Sequence, residues 1–184
     1  MTRARLGGYV GTLLQVNLSS GEITRREMAE PLLRQFIGGT GLGAKILYDE
    51  VPPGIEWNDP ENRLVFATGP LNGTSVMGSG ILSVVSKGPM TNGTTSTQAG
   101  GFMGAYMKFS GFDGVVIQGA AERWSYLYLH GGVVELRDAS HLVGKGALET
   151  VDLIKKELGK GRRGASVLAI GPAGENLVCF AAIV

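Results

Sequence analysis

The chain has 184 residues, 43% hydrophobic and 18% charged, enough for one sizeable core, and apolar runs such as Val115–Ile117 and Phe180–Val184 fall far short of the roughly 20 residues that cross a bilayer. Seventeen Lys and Arg against sixteen Asp and Glu leave a formal charge of +1 with basic residues scattered, which argues against a nucleic-acid footprint and predicts no membrane partner. Cys179 is the only cysteine, so an internal disulfide is excluded and iron–sulfur thiolates must come from elsewhere; no apolar signal-peptide stretch follows Met1–Leu6, so a cytoplasmic location is expected.

From the amino terminus, Leu13–Leu18, a Ser19-Ser20-Gly21 turn and Glu22–Arg26 read as a hairpin, with Leu14, Val16 and Leu18 alternating with polar neighbours. Pro31 suits a helix start, and Leu32, Leu33, Phe36 and Ile37 follow at helical spacing until Gly38-Gly39 interrupts them. A second helix is predicted from about Leu42 to Glu50, stopping before Pro52-Pro53 because proline disfavours helical geometry in the residue before it. Residues 52–62 read as a loop. Leu64–Thr68 and Ile81–Ser86 are compact apolar strands, separated by an irregular segment with Gly73, Gly78 and Gly80. Asn92–Ala99 is a polar stretch rich in Thr and Ser. Gly100-Gly101 then leads into Phe102–Phe109, whose Phe102, Ala105, Tyr106 and Phe109 fit one helical face. Val115–Gln118 reads as a strand, and Tyr126–Leu129 with Val133–Leu136 as a second hairpin through Gly131-Gly132. Ala147–Leu158 is an amphipathic helix, and Ser166–Ile170 and Val178–Val184 are the last predicted strands.

The order repeats. A hairpin, a helix and a strand closing at Gly69-Pro70 are echoed by a hairpin, a helix and a strand closing at Gly171-Pro172. The expected class is therefore α+β, with internally duplicated hairpin–helix–strand units forming mainly antiparallel sheets. Because Val184 stands inside an apolar, strand-like run, a natural chain that continues is expected.

Thirty glycines, without collagen period or low complexity, imply turns with positive φ or close backbone approach. Gly39-Thr-Gly-Leu-Gly43 lacks both the spacing and the preceding strand of a dinucleotide loop. No phosphate loop ending in Lys and a hydroxyl residue occurs, nor a G-x-S-x-G elbow, so nucleotide and ester hydrolysis are unsupported. His130 and His141 lack the spacing of a metal-binding helix, and Asp138 with His141 suits a turn aspartate and an exposed histidine better than an acid–base pair. No catalytic residue and no metal ligand is assigned. Gly69-Pro-Leu-Asn-Gly-Thr-Ser75, Lys87-Gly-Pro-Met-Thr91 and Gln98-Ala-Gly-Gly-Phe-Met-Gly104 offer amides and hydroxyls suited to an anionic, flat, polar ligand, and equally suited to ordinary turns.

Over nearly its whole length the chain resembles the N-terminal domain of the aldehyde ferredoxin oxidoreductase family. The resemblance is carried by Val16-Asn-Leu-Ser-Ser-Gly-Glu-Ile23, Pro60-Glu-Asn62, Ala67-Thr-Gly-Pro-Leu-Asn-Gly-Thr-Ser75, Val84-Val-Ser-Lys87, Gly100-Gly-Phe-Met-Gly104, Lys108-Phe-Ser-Gly-Phe-Asp113, Arg137-Asp-Ala-Ser-His141 and Ile170-Gly-Pro-Ala-Gly-Glu-Asn-Leu177. It implies that residues 1–184 are a single cofactor-base domain of a longer or split enzyme. Such enzymes hold a tungsten bis-pterin with a bridging magnesium, oxidise aldehydes to carboxylic acids and pass electrons through a [4Fe-4S] cluster to ferredoxin. The resemblance places the cluster in domains absent from this chain. It names the remaining domains or subunit as partners, with a homodimer as a further assembly seen among relatives.

Carried over by position, the cofactor-binding set implied is Ile81, Gln98, Ala99, Gly100 and Gly101. Gly100 and Gly101 match paired glycines near the pterin. Gln98 stands where relatives commonly have an asparagine whose backbone carbonyl helps to bind the magnesium, a task indifferent to the side chain. Ile81 replaces an arginine common in relatives, and an isoleucine cannot pair with a phosphate. That replacement leaves open an alternative of a different class, a non-catalytic binding or assembly module that kept the fold and lost the cofactor. A third reading is a related tungsten enzyme acting on a thioester-linked aromatic ring.

Overall fold

A computed structural model describes residues 6–161 and 163–184, so most of the basic start of the chain and Arg162 of the Lys160–Arg163 stretch lie outside the described residues. The chain divides into two compact units, one running to Glu122 and including Leu129–Val134, the other comprising Arg123–Tyr128 and Glu135–Val184.

The first unit is built on a six-stranded sheet of β1 (Thr12–Asn17), β2 (Glu22–Glu27), β3 (Leu64–Ala67), β4 (Leu82–Lys87), β5 (Thr94–Ala99) and β6 (Gly114–Gln118), in the order β2-β1-β6-β3-β4-β5. Every neighbouring pair is antiparallel except β1 with β6, so the chain is mixed α and β with a mainly antiparallel sheet, as expected. In β1, Leu13, Leu14 and Val16 are buried, and Val16 pairs with Ile23. The intervening turn is closed by the Asn17 side-chain oxygen, which accepts hydrogen bonds from the amides of Ser19 (3.0 Å) and Ser20 (3.3 Å). Strand β5 was legible only as a polar stretch. It lies at the sheet edge with its side chains largely exposed, so register with β4 makes it a strand where apolar alternation is missing.

Helix α1 (Glu30–Phe36) starts with Pro31 in its first turn and ends at Ile37, whose φ of 61° and ψ of −55° are those of a strained γ-turn. The Gly38 amide closes that turn on the Phe36 carbonyl at 2.6 Å, and the Tyr9 hydroxyl donates to the Ile37 carbonyl at 2.6 Å. Helix α2 (Gly39–Glu50) begins at Gly39 and not at Leu42, so the Gly39–Gly43 run is helical, preceded by a helix and not by a strand. Each glycine costs a helix about 1 kcal/mol. Close packing on the sheet offsets that cost: a Cβ on Gly43 would sit 2.5 Å from Val85 Cγ2. Leu42, Ile46 and Leu47 thereby join Leu13, Val65, Val85 and Val116 in the core.

Helix α3 (Met103–Phe109) buries Gly104 and Met107. Its Phe102, Ala105, Tyr106 and Phe109 face is not the buried one, since Phe102 and Phe109 are exposed. A glycine and an unbranched methionine allow closer approach to the sheet than the aromatic stripe would, so close packing selects the narrower face.

In the second unit, Tyr126, of hairpin β7 (Ser125–His130) and β8 (Val133–Asp138), packs with Ala139, Leu142, Ile154 and Val167. Helix α4 (Ala147–Glu157) supplies Ile154, and the Tyr126 hydroxyl donates to Glu157 at 2.8 Å. A short helix α5 spans Pro172–Glu175. The strands expected over 166–170 and 178–184 do not form. Only Ala169 and Val184 exchange amide–carbonyl hydrogen bonds, at 2.8 and 2.9 Å, and one such pair without a neighbouring ladder makes no sheet. Hairpin and helix thus recur in the expected order, but the strand that would complete a second copy is missing. Among the described residues, no helix is long and apolar enough to cross a membrane.

Candidate cofactor-binding site

The register of β4 with β5 sets Leu82 opposite Ala99 and Ser83 opposite Gln98. Ile81, just before β4, therefore lies beside Gly100, just after β5. All five residues implied by the resemblance meet at this one end of the sheet. Gln98, Gly100 and Gly101 are exposed, Ala99 is half-buried and Ile81 is 48% exposed. A Cβ added to Gly100 or Gly101 would find no atom within 4 Å, and Gly101 has a φ of +135° that other residues resist. The pair leaves its backbone open to a ligand on the outer side. On the inner side Gly80 is pressed so close that its own Cβ would sit 2.4 Å from the Gly101 carbonyl oxygen.

Asn72 holds this edge together. Its buried side chain accepts a hydrogen bond from the Gly69 amide at 2.7 Å and donates to the Ile81 carbonyl at 2.9 Å. Gly104 of α3 lies against the same amide group, since a Cβ there would be 2.6 Å from Asn72 Nδ2. One satisfied buried amide thus ties the loop after β3, the start of β4 and helix α3 into a single support. The sequence shows Asn72 only as a member of a turn segment; nothing local signals contacts to Ile81 and Gly104.

No cation is offered by the five residues themselves, so a bound anion would meet backbone dipoles there. Lys108 is committed elsewhere: it donates to the Gly8 carbonyl and pairs with Asp113 at 3.2 Å. Asp113 also accepts from the amides of Val10 (3.1 Å) and Gly11 (2.6 Å), which gives Lys108-Phe-Ser-Gly-Phe-Asp113 the role of fastening the segment before β1. Burial and, after it, the charge of Asp113 raise the Tyr9 hydroxyl above its ordinary pKa.

Other recurring motifs have structural roles as well. Asn62 donates to the Trp57 carbonyl at 2.6 Å and accepts from the Arg63 amide at 2.7 Å, while Glu175 accepts from the Gly144 amide at 2.9 Å. Asp138 accepts from the Ser140 hydroxyl at 2.7 Å and from its amide at 3.2 Å, and these bonds, the hydroxyl's first, hold its carboxyl below the usual range. His141 instead lies 3.3 Å from Glu157, so Asp138 serves as a turn aspartate. Among the described residues, no group of three or more His, Cys, Asp or Glu side chains converges as a metal site.

The family model for the aldehyde ferredoxin oxidoreductase N-terminal domain matches residues 13–184. The chain is 43% identical to the tungsten-containing aldehyde ferredoxin oxidoreductase of Pyrococcus furiosus and 44% identical to that of Thermococcus kodakarensis, covering 96% of this chain in each case. It spans under a third, 29%, of the length of each of these relatives. A solved structure of the active site complex of benzoyl coenzyme A reductase with 1,5-dienoyl-CoA matches 97% of this chain and 27% of its own, at a TM-score of 0.93 and 42% identity. With the match running from β1 to Val184, the chain belongs to the aldehyde ferredoxin oxidoreductase family, a family with tungsten-containing members, and carries its N-terminal domain.

Proposed function

We propose that residues 1–184 act as a single cofactor-base domain, binding a tungsten bis-pterin in an oxidoreductase that converts aldehydes to carboxylic acids. The observation that carries this reading is the open glycine pair at the end of β5, with nothing within 4 Å of where a Cβ would stand, in a chain whose relatives are named as tungsten-containing oxidoreductases. When bound, the pterin-held tungsten supplies the two-electron redox chemistry by which an aldehyde and water become a carboxylic acid.

This chain's own part is to bind and orient. The backbone of Gly100 and Gly101 would hold the pterin, the backbone carbonyl of Gln98 would help to hold its magnesium, and Ala99 and the half-exposed Ile81 would line the same edge. Asn72 keeps Ile81 and Gly104 in place and so acts as a positioning residue. The [4Fe-4S] cluster, transfer to ferredoxin and any homodimer contact belong to the remainder of a cytoplasmic enzyme. Ile81 alone favours the cofactor-free alternative, and the names of the relatives lend it no support.

A second reading has its own support. Identity to the benzoyl coenzyme A reductase complex, 42%, nearly equals identity to the aldehyde enzymes, so this domain does not discriminate between aldehyde oxidation and reduction of a thioester-linked aromatic ring. The experiment is metal and pterin analysis of the intact protein purified anaerobically, followed by assay with aldehydes and with aryl-CoA thioesters. Tungsten and pterin with aldehyde oxidation support the first reading, and ring reduction supports the second. Absence of both cofactors in folded protein from tungsten-replete cells overturns each.

We propose also that the second unit repeats the first. What supports it is order: a hairpin and a helix precede Gly171-Pro172 as a hairpin and helices precede Gly69-Pro70.

A further inference from the structure

The glycines of α2 fix the direction of that helix on the sheet. A Cβ on Gly39 would sit 3.0 Å from the Ser83 hydroxyl, and Gly43 lies against Val85, two residues further along β4. Four helical residues rise about 6 Å and two strand residues about 6.7 Å, so α2 runs beside β4 in the same direction. Its amino terminus, the positive end of the helix dipole, therefore points back past Ser83 toward Ile81. The Gly39 amide donates to the Thr68 carbonyl at 3.0 Å and the Leu42 amide to the Gly38 carbonyl at 3.3 Å. Among the described residues, the amides of Thr40 and Gly41 between them have no partner. No side chain caps this helix, and its first turn holds no acidic residue. Ser83 is an independent sign of a ligand. It is only 4% exposed, yet among the described residues its hydroxyl makes no hydrogen bond, a costly state for a buried donor. The Thr40 and Ser96 hydroxyls lie 2.7 Å from each other. Between Leu64 and Met107 the one charged residue is Lys87, so β3, β4 and β5 bring no carboxylate to oppose an anion.

We propose that the first turn of α2 and Ser83 form a phosphate-binding subsite, in which the Thr40 and Gly41 amides and the Ser83 hydroxyl donate to the oxygens of one phosphate group. None of these three residues belongs to the set implied by the family resemblance. The subsite adjoins that set, because Ser83 pairs with Gln98 across β4 and β5. Neutral donors and an oriented helix suit a phosphate without a paired cation. The phosphate is that of a bound phosphorylated cofactor or free inorganic phosphate. The first source rests on the cofactor reading above, and the subsite itself does not.

The test uses the intact oxidoreductase, purified anaerobically in phosphate-free buffer, with Thr40→Asp and Ser83→Ala introduced singly. A carboxylate at the start of α2 suits the helix dipole but repels a phosphate, so Thr40→Asp separates binding from stability. Release of pterin on dilution, followed by its fluorescence, is expected to be about tenfold faster in Thr40→Asp and about threefold faster in Ser83→Ala. The unfolding temperature of Thr40→Asp should hold or rise. Unchanged release, with a calorimetric titration of inorganic phosphate showing a binding step that both variants weaken, assigns the subsite to the free ion. Unchanged release without such a step overturns the proposal and leaves the cofactor reading standing. Faster release with a lowered unfolding temperature in both variants also overturns it. Unsubstituted protein that carries neither tungsten nor pterin, but binds inorganic phosphate in a step that both variants weaken, sinks the cofactor reading alone.

Discussion

Two glycine regions of the first unit use the missing side chain in opposite ways. Along α2 and α3, Gly38, Gly43 and Gly104 lie where a Cβ would collide with Thr68, Val85 and Asn72. After β5, Gly100 and Gly101 lie where a Cβ would meet nothing. The first set brings helix and sheet backbones together, and the second keeps a backbone bare. A substitution in the first set is therefore felt as stability, and one in the second as binding.

The largest effect that would break this comparison is at Gly38, where a Cβ would stand 2.4 Å from the Thr68 carbonyl oxygen, a backbone atom with little room to retreat. Gly38→Ala is expected to cost about 3 kcal/mol in chemical denaturation. A near-neutral result would mean that α2 shifts freely on the sheet. Next, Asn72→Ala removes the buried amide that joins the two regions and leaves the Gly69 amide and the Ile81 carbonyl without it. About 2 kcal/mol of stability should be lost, together with cofactor retention in the intact enzyme.

Gly100→Ala sharpens the contrast from the other side. Thermal unfolding should shift by no more than about 0.5 kcal/mol, while retention of the pterin cofactor falls on the order of tenfold. A stability loss as large as that at Gly38 would show that the loop is packed after all. Ile81→Arg, at a half-exposed position, should leave unfolding unchanged and tighten retention of a phosphorylated ligand on the order of tenfold, measured by pterin release on dilution.

The smallest effect is in the second unit, where a turn is closed by a side chain and not by glycine. The Asp138 carboxyl is depressed by Ser140, so its contribution is present above the ordinary carboxylate range and lost as pH falls through the depressed value. Ser140→Ala should move the Asp138 titration back up, read by NMR, and remove that acid-side dependence.

Much of this fold was legible in the chain itself. Pro31, the Ser19-Ser20-Gly21 turn and the apolar runs Leu64–Thr68 and Ile81–Ser86 are local signals, and they fold as α1, the first hairpin turn, β3 and β4. The candidate site was legible as a set of positions only through the family resemblance, and it is the β4–β5 register of the folded chain that brings Ile81 beside Gly100. Its support was not, because Asn72 reaches Ile81 across nine residues and touches α3 far along the chain.

The sequence by itself determined both hairpins, the helices, the strands Leu64–Thr68, Ile81–Ser86 and Val115–Gln118 to within a few residues, and a mainly antiparallel class, which follow from side-chain periodicity and turn chemistry. Tertiary structure decided what periodicity cannot: that Gly39–Gly43 is helix because it must lie close on Val85, that polar Thr94–Ala99 is strand because β4 offers a ladder, and that α3 buries Gly104 and Met107 while its aromatic face stays open. It also left 166–170 and 178–184 outside any sheet, because a strand needs a partner and the chain offers those residues only the single Ala169–Val184 pair.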